Sequence, residues 1–387
     1  MSSFTCEARE ITVEEHPNAS ALEIGRVDGY QFIIKKGDFK TGDWGIYIPE
    51  QSVLPPLLIE EMGLVGRLSG AGKNRVKAIK LRGVLSQGLF YRPKLLPGIP
   101  TPNWWLDDYP AMCVLGDGDY PKGDLSVMLG IKKWQPPIPR ELIGRVRPIG
   151  DNAFTHNYDI ENCKTYNKVL LEGELVAYTE KLHGTQCVVG VYKQTQEYDA
   201  PVEYYVTSKG LNARRLTIEP DDNNAYWRVT NELDLVKKLT DLLDEFNDQY
   251  RGSDRIRGLI LYGEVIGVQD LMYGLEKGQL AFRAFDLYCE DWEGDSKFLD
   301  YNYFAKRMGG LGIPLVPALA IEPFNKIRLA AITSGLTCDK DNPNSNIREG
   351  VVVKPVIERT DQALGRVILK SVSSEYLTRG GVTTEAD

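Results

Sequence analysis

The chain has 387 residues, 42% hydrophobic and 26% charged, an ordinary globular balance that is long for one core and comfortable for two domains. No apolar run approaches the ~20 residues of a transmembrane helix, and residues 1–10 lack a signal-peptide core, so a cytoplasmic protein with no membrane partner is expected. With 46 basic against 54 acidic residues, the net charge of −8 excludes a uniformly basic nucleic-acid binder, so any polynucleotide contact must be local. Cys6, Cys113, Cys163, Cys187, Cys289 and Cys338 are scattered with no Cys-x-x-Cys pair, which argues against a disulfide scaffold or a zinc site.

Before residue 140, short strand-like pieces at Glu23–Val27, Gln31–Lys35, Trp44–Ile48, Val76–Leu81 and Gly88–Tyr91 alternate with Gly, Asp and Pro turns. That pattern suggests a small β-barrel of OB type over residues 1–140. Arg67, Lys73, Arg75, Lys77, Lys80 and Arg82 fall in a stretch without an acidic residue from Met62 to Leu106. Interleaved with Val76, Ile79, Leu81 and Val84, they read equally as a solvated strand face or as an RNA surface. Gly70-Ala71-Gly72-Lys73-Asn74 is not a Walker loop, because Asn74 stands where Ser or Thr would hold Mg2+ and Arg67 where the first Gly belongs. The Pro-rich segments Leu96–Pro102 and Gln135–Pro139 suit neither strand nor helix, and the second reads as the boundary to a domain over 141–387.

In the second part strands alternate with helices. Ala177–Gln186 reads as a strand ending in Lys181, followed by a turn at Gly184. A lysine so placed is a candidate nucleophile for nucleotidyl transfer, in which an amine attacks an α-phosphate and splits one phosphoryl transfer into two easier steps. Leu235, Val236, Leu239, Leu242, Leu243 and Phe246 recur at helical spacing, predicting an amphipathic helix over Asn231–Tyr250, with further helices near Tyr301–Met308 and Lys326–Thr333. Gly258–Gly267 sets Glu264 between glycines at the edge of an apolar strand. Leu280–Tyr288 alternates as a half-buried strand carrying Phe285, Arg348–Pro355 places Glu349 before a β-branched run, and Arg366–Ser373 carries Lys370 on a last strand.

Five motifs in this order resemble the covalent lysine nucleotidyltransferases, the polynucleotide ligases and messenger RNA capping enzymes. The wording Glu180-Lys181-Leu182-His183-Gly184-Thr185, with His183 where DNA ligases and capping enzymes usually carry Asp, is most similar to ATP-dependent RNA ligases. So is Gly263-Glu264-Val265-Ile266-Gly267 with Gln269 and Phe285-Asp286. The resemblance spans roughly residues 150–380. A barrel ahead of the catalytic domain is similar to one branch of the RNA ligases, whereas DNA ligases and capping enzymes usually carry theirs after it. The implied fold is α+β: an amino-terminal OB-like barrel, then a nucleotidyltransferase domain of antiparallel sheets flanked by helices.

The resemblance implies roles. Lys181 would attack ATP, which requires its pKa to be lowered, by a metal ion and neighbouring cations. Glu264 and Glu349 would hold hydrated Mg2+ (or Mn2+), and Phe285 would stack on adenine. Glu180 would contact the adenine edge, His183 with Gly184 would orient phosphate or metal-bound water, and Lys209 would touch ribose or phosphate. Lys354 and Lys370 would stabilise charge developing on phosphates. Taken singly, each has a plainer reading: surface carboxylates beside turns, a core aromatic, a structural histidine, a solvated turn lysine. Many relatives carry Lys-x-Lys in the last motif, whereas Lys370-Ser371-Val372 has one basic residue, and Arg366, on the same strand face if the strand is regular, is a candidate substitute.

The implied cycle transfers AMP from ATP to Lys181, then to a 5′-phosphate on RNA, after which a 3′-hydroxyl displaces AMP to join the ends. RNA ends are the expected partner, at a nicked duplex or as free strands, and RNA repair is the expected setting. A DNA ligase or capping-type enzyme is the alternative within this chemistry, and a non-catalytic nucleic-acid-binding protein the alternative outside it.

Overall fold

A computed structural model describes residues 4–92, 123–135, 138–150, 153–197, 199–249, 255–339 and 346–379. The expected Pro-rich punctuation at Leu96–Pro102 lies outside these residues, as do Pro136 and Pro137. The chain separates into two units, residues 3–135 with 377–387, and residues 136–376 with 1–2. Among the described residues no helix is long and apolar enough to cross a membrane.

In the first unit, strand Trp44–Ile48 pairs antiparallel with Glu7–Glu10 and with Leu89–Tyr91, while Thr12–Glu15, Leu22–Val27 and Tyr30–Lys35 form a second antiparallel sheet. Alternation along Trp44–Ile48 sends Tyr47 into a cluster with Ile11, Val27, Phe32 and Phe90, and sends Ile46 and Ile48 into another with Leu54, Leu58 and Val76. The strand expected at Val76–Leu81 is shorter, Ile79–Leu81, hairpinned to Val84–Ser86. Its first residues instead run extended beside Ser52 and Val53, where Val76 is buried.

The second unit is built on two five-stranded sheets. One has the order Glu161–Asn162, Leu369–Val372, Gly350–Pro355, Leu175–Lys181, Ala318–Pro323, antiparallel except for its two-residue first pair. The other is antiparallel throughout, in the order Val202–Ser208, Thr185–Lys193, Ile256–Ile266, Ala281–Asp291, Ser296–Phe298. Along Thr185–Lys193, Val189 and Val191 face a core shared with the helices, while Val188 and Tyr192 face a second core with Phe154, Ile260 and Phe298.

The single amphipathic helix expected over Asn231–Tyr250 is two, Ala225–Glu232 and Leu235–Gln249. Asp234, at φ 50°, takes a left-handed backbone that ends the first, and Asn224 caps that helix by accepting from the Tyr226 and Trp227 amides. Leu235, Leu239, Leu242, Leu243 and Phe246 of the second are buried against the sheet, the stripe that the periodicity predicts. The later helices run Tyr301–Gly310 and Lys326–Thr333.

Candidate active site

Lys181 ends its strand where the chain leaves one sheet, and four residues later, at Thr185, it enters the other. The intervening turn needs Gly184, because a Cβ there would lie 2.1 Å from the Val265 carbonyl oxygen. Register does the rest. Lys181 stands opposite Gly350, which puts Glu349 beside it; Gln186 stands opposite Glu264; and Val352 lies between Thr179 and Lys370. A cavity of about 310 Å3 opens between these strands, lined by Glu180, Lys181, Gly184, Lys209, Glu264, Phe285, Lys354 and Lys370 among others. Eight of the ten residues singled out from the sequence therefore meet at one cavity.

The other two flank Lys181. Lys181 Nζ lies 2.5 Å from Glu349 Oε1, and the His183 ring lies 3.9 Å from the other oxygen of Glu349. His183 is held on both sides, with Nε2 2.7 Å from Asp270 and Nδ1 2.8 Å from the Tyr376 hydroxyl, and its backbone N–H donates to Tyr273 Oη at 2.6 Å. Asp270, Tyr273 and Tyr376 carry no sequence signal; only long-range packing assembles them.

Phe285 reaches the cavity through a β-bulge. Tyr262 pairs with Asp286 and Gly263 with Ala284, so Phe285 is the extra residue, and the bulge re-aims its ring. The ring packs against Tyr158, with centroids 5.1 Å apart, and stays partly exposed on the cavity side. Glu180 is buried at 1% exposure, its Oε2 accepting from the Cys338 backbone N–H at 2.6 Å, while its Oε1 has no hydrogen-bond partner among the described residues. Such an orphaned acceptor on a cavity wall is costly to leave unmatched and suits a donor on a bound base.

The electrostatics depart from expectation at Lys181. Burial pulls its pKa down, but Glu349 and Glu264 outweigh burial, so the free amine site is held above its ordinary range rather than below it. Burial pushes Glu264 up to about 8, Lys181 opposing and Glu349 reinforcing. Burial, with Lys181 and Lys209 nearby, pushes Lys370 down to about 8, so its charge sits in a desolvated wall against the repulsion of other cations, with Glu161 and Asp159 opposing the shift. Lys209 opens a short helix capped by Ser208, is half-exposed, and pairs with Asp159 at 2.5 Å.

Lys354 lines the cavity but is not a free cation: its Nζ lies 2.6 Å from the buried Asp286. Arg366 does not share a strand with Lys370. It sits in the two-residue strand Gly365–Arg366, separate from Leu369–Val372. Its guanidinium binds Asp286 and Glu358 and lies 3.4 Å from the Phe298 ring centroid. The strand is not regular between positions 366 and 370, which removes the premise that put both on one face.

Among the described residues no group of three or more His, Cys, Asp or Glu side chains forms a metal cage. Glu264 and Glu349 nonetheless fit a hard cation. They are two carboxylates beside Lys181, near enough for Glu349 to push the Glu264 pKa up, and Mg2+ is commonly held by one or two carboxylates with waters and substrate phosphates completing the shell.

A family model described as RNA ligase matches residues 174–372, just over half of the chain, and a second described as an OB-fold domain matches residues 7–93. A comparison with curated proteins gives no match. Among solved structures, Naegleria gruberi RNA ligase with PPi is 24% identical with a TM-score of 0.67, covering 98% of this chain and 99% of that chain. A mutant of the same enzyme with AMP and Mn is 23% identical at a TM-score of 0.69, over 97% and 98% of the two chains. Another mutant with ATP and Mn is 23% identical at 0.67, over the same shares. At this identity the likeness speaks for the fold, and the fold is the α+β arrangement of an OB-fold region followed by an antiparallel, sheet-rich domain. The chain belongs to the RNA ligase family.

Proposed function

We propose that the protein is an ATP-dependent RNA ligase that joins 3′-hydroxyl and 5′-phosphate ends through a lysyl-AMP and an RNA-adenylate, the reaction that restores broken RNA. The observation that carries this is Lys181 at the cavity wall, 2.5 Å from Glu349 and close enough to Glu264 and Lys370 for each to act on the others' protonation. Among the Naegleria structures one holds ATP and Mn, and the cavity here is lined by Phe285 and Glu180 as well as by Lys209, Lys354 and Lys370.

In the first step Lys181 Nζ, having lost a proton, forms a bond to the α-phosphorus while the bond to the bridging oxygen breaks and pyrophosphate leaves. Glu349 and Glu264 hold Lys181 as an ammonium before that step. Mg2+ on these carboxylates would withdraw the charge that raises the Lys181 pKa and screen the phosphate oxygens. Lys370, desolvated and already in place, would stabilise charge on the phosphate without reorganising. Asp270 and Tyr376 fix the His183 ring beside Glu349, so the histidine would orient what that carboxylate holds.

The test is incubation of the purified protein with Mg2+ and ATP labelled on the α-phosphate, beside Lys181→Ala. Acid-labile label on denatured wild type alone is expected, followed by its transfer to a 5′-phosphorylated RNA. Folded, AMP-free wild type that takes up no label would overturn the reading.

A further inference from the structure

We infer that the first unit carries a separate binding surface for single-stranded RNA, made from three segments far apart in sequence. Lys132 pairs with Val53, Val53 bridges to Arg75, and the Trp134 amide donates to the Gln51 carbonyl at 2.7 Å, so the short strands Ser52–Val53 and Lys132–Lys133 and the segment around Arg75 lie side by side. Alternation then sorts their side chains. Ser52 and Val76 are buried on the inner face, while Arg75, Lys77, Lys132 and Trp134 share the outer one. Lys73, exposed in the turn just before this segment, adds a further cation.

Three features of this face point to a polynucleotide. The chain is acidic overall, at −8, yet Gln51, Val53, Lys73, Arg75, Lys77, Lys132 and Trp134 include no carboxylate. Lys73, Lys77 and Lys132 are exposed, and no ion pair involves them among the described residues, so their charge is available to a partner. Arg75 is not floating: its guanidinium lies 3.4 Å from the Trp134 ring centroid and hydrogen-bonds Gln51, which fixes its plane. A flat cation held against an indole is a stacking platform that accepts any base, and the exposed lysines beside it, Lys77 along its own segment and Lys132 on the neighbouring strand, suit the phosphates of an extended chain. An acidic protein partner would use the lysines but has no need of the stacked plane.

The inference rests on the RNA ligase reading for the identity of the polynucleotide, and two measurements on the full chain separate the two. Binding of a 5′-phosphorylated single-stranded RNA is followed by fluorescence anisotropy from about 50 to 200 mM salt, and self-adenylylation with labelled ATP is run in parallel. Lys73→Ala/Lys77→Ala/Lys132→Ala should weaken RNA binding at least about tenfold and make the logarithmic salt slope shallower by about 2, since each phosphate contact on a single strand contributes about 0.7. Self-adenylylation should be unchanged. Arg75→Lys keeps the charge and removes the plane, so it should weaken binding roughly fivefold or more with the salt slope unaltered. RNA affinity and salt slope equal to wild type in the triple variant would overturn the surface, whatever the adenylylation result. Loss of affinity with an unchanged slope in that variant would also overturn it, because the lysines would then not be neutralising phosphates. Wild type that binds RNA through this face but takes no label would instead overturn the ligase reading and leave the surface standing.

Discussion

Asp286→Asn removes the carboxylate that lies between two cations in the wall of the cavity. Asp286 is fully buried, with Lys354 at 2.6 Å, Arg366 at 2.8 Å and the Tyr158 hydroxyl donating at 2.5 Å. Glu358 contacts both cations as well, so two carboxylates balance two cations, and the variant leaves one positive charge without a counterpart. Breaking a buried pair from one side costs about 3–5 kcal/mol; asparagine keeps the shape, and its one oxygen can still accept from either Lys354 or Tyr158, which donate to different oxygens of Asp286, so about 3 kcal/mol or more is expected. The assay is equilibrium denaturation at pH 7, read as a lower midpoint at unchanged slope. Lys354→Met in the same background should recover part of the loss, since the uncompensated charge then disappears. The effect has a pH signature. Burial alone would raise the Asp286 pKa, but Arg366 and Lys354 outweigh it and hold it below the usual range. Its contribution is therefore complete above the unfolded aspartate value of about 3.9 and is lost as pH falls through the lower folded value, so the wild-type and variant curves should converge in acid. A loss under about 1 kcal/mol at pH 7, the size of an exposed pair, would refute the reasoning.

Lys370→Met should leave the midpoint of unfolding at pH 7 equal or higher, because a lysine pushed down to about 8 by burial and by neighbouring cations is a stability cost, yet it should slow self-adenylylation by about a hundredfold or more; equal rates would remove Lys370 from the chemistry. For Glu264, pushed up to about 8, the folded state keeps a proton that the unfolded chain loses near about 4.3, so metal-free wild type should lose stability relative to Glu264→Gln as pH rises through that window. Mg2+ should raise the melting temperature of wild type at pH 8 and do so less for Glu264→Gln; parallel pH curves and equal Mg2+ shifts would count against the carboxylate pair as the cation's seat. Gly184→Ala puts a Cβ 2.1 Å from a backbone oxygen that a flexible side chain cannot vacate, so the Lys181 turn must shift, and self-adenylylation should fall at least about a hundredfold; near-normal labelling would show that the turn tolerates it.

How much of the site was legible in the sequence follows from what each residue's position depends on. Lys181 ends a strand, Glu349 precedes one, and Glu264 and Lys370 lie within two residues of a strand end, so local pattern made them visible, while the order of the motifs and the family resemblance singled them out. Phe285 was named on the same grounds, but its access to the cavity depends on a bulge against Gly263, a pairing across sequence that no local pattern encodes. Arg366 fails for the complementary reason. A four-residue offset fixes a shared face only on a continuous strand, and the chain turns between Arg366 and Leu369, where the Ile368 amide donates to the Arg366 carbonyl. The helix boundary at Asp234 was missed because the apolar stripe on either side of the break keeps helical spacing, and one left-handed residue leaves no mark on periodicity. The basic stretch before residue 92 was visible as charge, but its neighbours were not: Lys132 and Trp134 join it only through strand pairing with residues 51–53. Charge by itself left a solvated face and a binding face equally open; what separates them is the stacked Arg75–Trp134 pair, and that pair exists only after the chain has folded.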